Sequence, residues 1–207
     1  MRKIGITGNI GSGKTTVSKI FGVLGIPVFY ADIAAKDVMV SDEILIKAIK
    51  EAFGNASYLD DGSLNRKHIA NIVFNDEKEL AILNSTVHPA VFRAFDSWAK
   101  QYNDVPYVLK EAALLFESDS YKMCDKTILV TAPLQMRIQR VAARDGLSEA
   151  EVMNRELKQL PEEEKAKLAD FIIKNDNTEF VIPQVLRLHE QFAGIADLTD
   201  YTDNDLS

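Results

Sequence analysis

Apolar and polar positions along this chain follow two alternating periods. Lys3 to Thr7 is a short β-type run that opens onto a glycine-rich turn. From Lys14 to Leu24 the apolar residues Val17, Ile20, Phe21 and Leu24 recur at helical spacing. Gly25 stands where a helix C-cap is expected, and Pro27-Val28-Phe29-Tyr30 reads as a second strand that begins at its proline. A βαβ unit thus fills roughly the first thirty residues, which implies a parallel sheet covered by helices, with ligand groups gathered at the carboxyl ends of its strands.

Between Asp32 and Pro106 the pattern turns helical, over roughly 32–40, 42–53, 65–74 and 76–102, with a break expected in the last near His88-Pro89. That stretch far exceeds an ordinary crossover of about a dozen residues, so it predicts a helical subdomain standing on the sheet. Strands resume at Tyr107-Val108-Leu109 and Thr127-Ile128-Leu129-Val130, and Phe171-Ile172-Ile173 predicts the last of five. A helix is expected from Pro133 to about Arg144. Ser148-Glu149-Ala150-Glu151 is a capping-box sequence opening another, and Pro161 with three following glutamates marks a further start. Thr178 is a candidate cap for a terminal helix reaching about Phe192. The tail from Gly194 carries Asp197, Asp200, Asp203 and Asp205 with little to bury, and is expected to fray.

Composition narrows the picture. With 46% hydrophobic and 27% charged residues the chain can build a sizeable core, which excludes wholesale disorder. Twenty-four basic against 31 acidic side chains set a net charge of −7. That charge argues against a broad electrostatic grip on nucleic acid or an anionic membrane, so any polyanion must be bound locally. A single cysteine, Cys124, forbids an intramolecular disulfide, and with three dispersed histidines no Cys/His zinc cluster can be assembled. The apolar start after Met1 is too short for a signal peptide and no 18 apolar residues run together, so the expectation is a soluble, cytoplasmic protein.

The strongest chemical signal is Gly8-Asn9-Ile10-Gly11-Ser12-Gly13-Lys14-Thr15, which fits the P-loop pattern between a predicted strand and a predicted helix. Its glycines let backbone N–H groups turn onto phosphate oxygens, with the helix N-terminus behind them adding favourable partial charge. Lys14 is expected to reach the β- and γ-phosphates, Thr15 to hold Mg²⁺ and Thr16 to stand near the α-phosphate, with Gly11, Ser12 and Gly13 as the cradle. Asp32 directly follows the second strand, on the P-loop edge of a parallel sheet. It can accept a proton from an attacking hydroxyl or help hold the metal through water; as a helix N-cap it would serve local structure, and the two roles are compatible. Glu111 ends the third strand where a Walker-B-type acid would sit, or is a solvated loop residue. Arg137, Arg140 and Arg144 share one helical face, either a solvated basic surface or a lid that closes over a triphosphate, and the P-loop favours the second. Arg66 and His88, in the helical insertion, read from physics as a surface ion pair and a core or helix-break histidine.

Taken together these residues resemble the dephospho-coenzyme A kinase family, from about residue 3 to residue 178. Ile6 through Thr15 looks like that family's opening segment, and Ala31-Asp32 matches the end of its Asp-Ala-Asp motif, with Tyr30 replacing the first aspartate. Leu64-Asn65-Arg66, Val73-Phe74, His88-Pro89, Leu114-Leu115-Phe116-Glu117, Arg140 through Arg144-Asp145 and Ala169-Asp170 before a strand ending at Asn175 follow in the family's order. Glu111, Ala113 and Lys174 depart from its pattern of Asp, Pro and Asp.

The resemblance implies a three-layer α/β/α P-loop fold with a parallel five-stranded sheet, a helical acceptor-binding insertion and a helical lid. Within one domain, 1–31 and 104–193 would form the nucleotide-binding core, 32–103 the insertion, 137–160 the lid and 194–207 a flexible acidic tail. It further implies ATP as donor, Mg²⁺ as cofactor and transfer to the ribose 3′-hydroxyl of dephospho-coenzyme A. Asp32 would be the base, Lys14 and Arg140 would stabilise charge, Arg144 and Asn175 would contact ATP, and Arg66, His88 and Glu117 would belong to the acceptor side. Another P-loop kinase of a nucleotide-like acceptor is the nearest rival. A nucleotide-driven switch is a more distant one, since the chain holds no Asn-Lys-x-Asp segment of the kind that reads guanine.

Overall fold

The computed structural model describes residues 1–74 and 76–194, so the call on the acidic tail beyond Gly194 lies outside the described residues. The chain forms two compact units, one built from Met1–Val28 with the chain from Tyr102 onward, the other from Phe29–Gln101.

All five strands expected from the sequence are present, as a parallel sheet in the order β2-β3-β1-β4-β5. They are β1 (Arg2–Thr7), β2 (Val28–Tyr30), β3 (Tyr107–Glu111), β4 (Lys126–Thr131) and β5 (Phe171–Lys174). Alternation along β1 sorts its residues between two faces. Ile4 and Ile6 join Tyr107, Leu109, Ile128, Val130 and Ile173 in one apolar layer. That layer is covered by Val17 and Phe21 of α1 (Lys14–Val23) and by Val185 and Phe192 of α9 (Val181–Ala193). On the opposite face a Cβ at Gly5 would lie 2.8 Å from a methyl of Leu115, so that side chain, from the segment after β3, packs directly on the strand. The chain therefore leaves the neighbouring strands β1 and β3 towards opposite faces, which opens a crevice between their carboxyl ends.

The remaining helices of this unit are α6 (Leu134–Asp145), α7 (Glu149–Glu156) and α8 (Glu162–Leu168). Ile138 and Val141 of α6 pack on Val152 of α7 in a small separate core that includes Ile10. The capping box at Ser148 forms as expected, its hydroxyl accepting from the Glu151 N–H while the Glu151 carboxylate accepts from the Ser148 N–H at 2.8 Å. Thr178 does not cap α9. Its hydroxyl donates to Asp176 at 2.6 Å in a local turn, and the helix begins three residues later at Val181.

The second unit is helical, with α2 (Ala31–Ser41), α3 (Glu43–Phe53), α4 (Arg66–Val73) and α5 (Glu77–Ala99). Its core is built from Leu45, Ile49, Phe53, Leu83, Val87, Val91 and Phe95. Phe29 packs on Phe95 and Trp98 with ring centroids 5.2 and 5.3 Å apart. The break expected at His88-Pro89 does not occur, and α5 runs through Pro89 without interruption. Proline removes one backbone donor there, but Leu83, Val87, Ala90, Val91 and Phe95 bury a continuous stripe on both sides of it, and tertiary packing outweighs the local propensity.

Candidate active site

The carboxyl ends of β1, β3, β4 and β5 all open on one edge of the sheet, and the loops that leave them form a single cluster. Gly8 to Gly13 follow β1 and deliver Lys14 and Thr15 to the first turn of α1, which contains no acid to compete with an anion. Gly11 has φ +80°, and a Cβ on it would lie 2.5 Å from the Arg137 carbonyl oxygen, so only glycine passes beneath α6. Gly13, at φ +94°, is the N-cap of α1 and lies under the Asn175 amide, which donates to the Ser12 carbonyl at 2.8 Å.

Glu111, at the end of β3 in register with Ile6 of β1, is nearly fully buried. It accepts from the Thr15 hydroxyl at 2.9 Å and lies 3.9 Å from the Lys14 ammonium. The structure thereby brings Glu111 of β3 to Lys14 and Thr15 at the start of α1, two segments that stand apart in the sequence. Arg140 reaches this edge from α6 and donates through Nη2 to the Asn175 carbonyl at 2.9 Å, while its buried Nη1 has no hydrogen-bond partner among the described residues. Such a donor is expensive to leave unmet, and an anion would satisfy it. Ser12 is buried as well, its hydroxyl likewise unpartnered among the described residues.

The three arginines of α6 do not act as one basic face. Arg137, 4% exposed, forms a two-pronged pair with Glu156 at the end of α7, with Nη2 to Oε1 at 2.8 Å, and its Nε donates to the Ala132 carbonyl at 2.9 Å. Arg144 is exposed and forks onto its neighbour Asp145, with Nε and Nη2 each donating to one carboxylate oxygen at 2.7 Å. The sequence places those two charges side by side; what it does not show is that the acid takes up the guanidinium.

Burial alone would raise the Glu156 carboxyl, but hydrogen bonds from Arg137 and Asn9 and the arginine's charge outweigh it and hold it below its ordinary value. Glu162 lies 3.8 Å from the same guanidinium, and there burial dominates and pushes the carboxyl up. Glu117 accepts from the Leu160 N–H and from Lys165 Nζ, each at 2.9 Å, and Lys165 is completely buried.

Asp32, Arg66 and His88 belong to the helical unit. Asp32 is exposed in the first turn of α2, whose N-cap is Tyr30, so its side chain does not serve as the expected cap. Arg66 opens α4 as an exposed residue behind the N-cap Asn65, whose side chain accepts from the His68 N–H at 3.1 Å. His88 stacks on Phe92 at 6.2 Å along α5. Sequence reasoning passed over Asn9, Glu156, Gln159 and Lys165. Asn9 is a variable position of the loop motif, and the other three lie in polar segments that read as solvated surface.

Comparison with known proteins agrees with this geometry. A family model described as dephospho-CoA kinase matches residues 2–180. A dephospho-CoA kinase of Salinibacter ruber is 43% identical over 180 residues, covering 86% of this chain and 90% of the relative. The crystal structure of TT1252 from Thermus thermophilus, 36% identical, superposes with a TM-score of 0.80 over 95% of this chain and 98% of that one. A dephospho-CoA kinase from Campylobacter jejuni, 26% identical, gives 0.65 over 93% and 97%. With a family model spanning most of its length and such a relative, the chain belongs to the dephospho-CoA kinase family.

Proposed function

We propose that the protein transfers the γ-phosphoryl group of ATP to the ribose 3′-hydroxyl of dephospho-coenzyme A, giving coenzyme A and ADP, the last step of coenzyme A synthesis. The observation that carries this reading is the meeting of Lys14, Thr15 and Glu111 at the mouth of a glycine cradle backed by a helix N-terminus. The loop from Gly11 to Thr16 receives the phosphates. Lys14 and Arg140 neutralise charge on the transferring group, and Nη1 of Arg140, without a hydrogen-bond partner among the described residues, supplies a donor that needs no reorganisation. Arg144 closes from the end of α6, and Asn175 stands near the adenine. In the transfer the 3′-oxygen bonds to the γ-phosphorus, the bond from that phosphorus to the β–γ bridging oxygen breaks, and the hydroxyl proton passes to Asp32. Arg66, His88 and Glu117 hold the acceptor.

Mg²⁺ suits the donors present, since the Thr15 hydroxyl and the Glu111 carboxylate are hard oxygen groups 2.9 Å apart that would hold it. Among the described residues no group of three or more His, Cys, Asp or Glu could hold a metal ion by itself. When bound, the ion would neutralise charge on the phosphates during the transfer. Among the described residues no helix is long and apolar enough to cross a membrane, and we place the protein in the cytoplasm, acting on a small molecule without nucleic acid.

Acceptor-dependent ADP release in Mg-ATP tests this reading, with dephospho-coenzyme A set against AMP, CMP and adenosine. Rapid turnover of the first and little of the others is expected. Preference for another acceptor would contradict the assigned substrate, and turnover with none would favour a nucleotide switch.

A further inference from the structure

Gln159, in the connection between α7 and α8, makes two hydrogen bonds that join opposite sides of the phosphate site. Its Oε1 accepts from the Ile10 N–H at 2.8 Å, within the phosphate loop after β1. Its Nε2 donates to the Ala113 carbonyl at 3.3 Å, two residues beyond Glu111 in the segment after β3. A backbone N–H can only donate and a carbonyl only accept, so a single orientation of the amide satisfies both.

The connection and the helices beside it hold the loop at three further points. Asn9 Nδ2 donates to Glu156 Oε1 at 2.9 Å and to the Leu160 carbonyl at 3.2 Å, and Arg137 Nη1 donates to the Ile10 carbonyl at 3.3 Å. Leu160 is itself pinned by Glu117, and Glu117 by the buried Lys165. None of these contacts leads into the cradle. They grip its outer side, where a displacement of an ångström would misplace the donors that face the phosphates.

We propose that Gln159 is a positioning residue for phosphoryl transfer, fixing the phosphate loop against the β3 segment that carries Glu111 and so setting the enzyme's affinity for ATP. This rests on the reading of Gly11 to Thr16 as the ATP phosphate site. It acts through Ile10 and Ala113 and touches neither substrate.

Three variants of the full chain test it, with steady-state kinetics in both substrates and thermal unfolding. Gln159→Met keeps the packing volume and removes both bonds. It raises KM for ATP about three- to ten-fold, the worth of a neutral hydrogen bond, and leaves KM for dephospho-coenzyme A unchanged. Gln159→Glu again accepts from the Ile10 N–H but sets an acceptor against the Ala113 carbonyl, and so recovers only part of that loss. Asn9→Ala loosens the loop by a second route and shifts the same constant in the same direction, so the test does not depend on one variant folding. Wild-type KM for ATP in the folded variants, whatever happens to Tm, would overturn the proposal. Lys14→Ala, measured alongside, separates the two readings. If it is crippled while the Gln159 and Asn9 variants are normal, positioning alone fails; if it too keeps wild-type turnover and KM for ATP, the phosphate-site reading fails.

Discussion

Asp32 and Glu111 divide the acid work of the proposed site by their surroundings. Glu111 is nearly buried, holds the Thr15 hydroxyl and lies beside the Lys14 ammonium, a setting for holding charge in place. Asp32 is exposed at the start of a helix and open to an incoming hydroxyl. Asp32→Asn is accordingly expected to lower kcat by about 10²-fold or more, the range of a lost general base, with KM for ATP nearly unchanged. A defect confined to KM, read from the same saturation curves, would demote Asp32 to orienting the substrate or metal. Gly11, Gly13, Lys14 and Thr15 were legible in the sequence because their requirement is local, namely glycine at positive φ followed by a cation and a hydroxyl at the start of a helix. Gln159 was not, because an amide between two short helices has no meaning until the fold brings Ile10 and Ala113 to its two ends.

At the scale of elements, α6, α7 and α8 meet around one buried cation. Arg137 faces Glu156 and Glu162, and the two carboxylates respond to that setting in opposite ways. The Glu156 carboxyl lies below its ordinary value of 4.5, so it contributes stability that is present above that value and lost as pH falls through the lowered one. The Glu162 carboxyl is raised above the same ordinary value. Its contribution is present below that value and lost as pH rises through the raised one, which leaves its charged form a cost at neutral pH. Glu156→Gln should therefore lower Tm at pH 7, and Glu162→Gln should raise it, each by about 2–4 °C per kcal/mol. Both differences shrink towards the wild type in acid. Calorimetry from pH 3 to 7 checks this, and shifts of the same sign at neutral pH would refute it. The five strands were legible as apolar runs bounded by turn residues. The unbroken α5 was not, because the buried stripe that carries it through Pro89 is a property of the packed helices rather than of the dipeptide.

For the molecule as a whole, a net charge of −7 makes local concentration of cations the condition for binding a triphosphate. The fold gathers Lys14, Arg140 and the N-terminus of α1 at one edge of the sheet in the unit that carries the phosphate loop. The residues proposed to meet the acceptor are divided, with Asp32, Arg66 and His88 in the helical unit and Glu117 in the other. The family was legible from the order of short motifs along the chain, and the family model and relatives confirm it. The roles of individual acceptor residues depend on contacts with substrate atoms, which motif order does not convey. The most direct test is to follow the γ-phosphorus of isotopically labelled ATP through a reaction with Mg²⁺ and dephospho-coenzyme A, and to locate it in the product by NMR and mass spectrometry. The label is predicted on the ribose 3′-oxygen, in coenzyme A, with ADP formed in equal amount. Label recovered as inorganic phosphate, or attached at another position, would contradict the assignment.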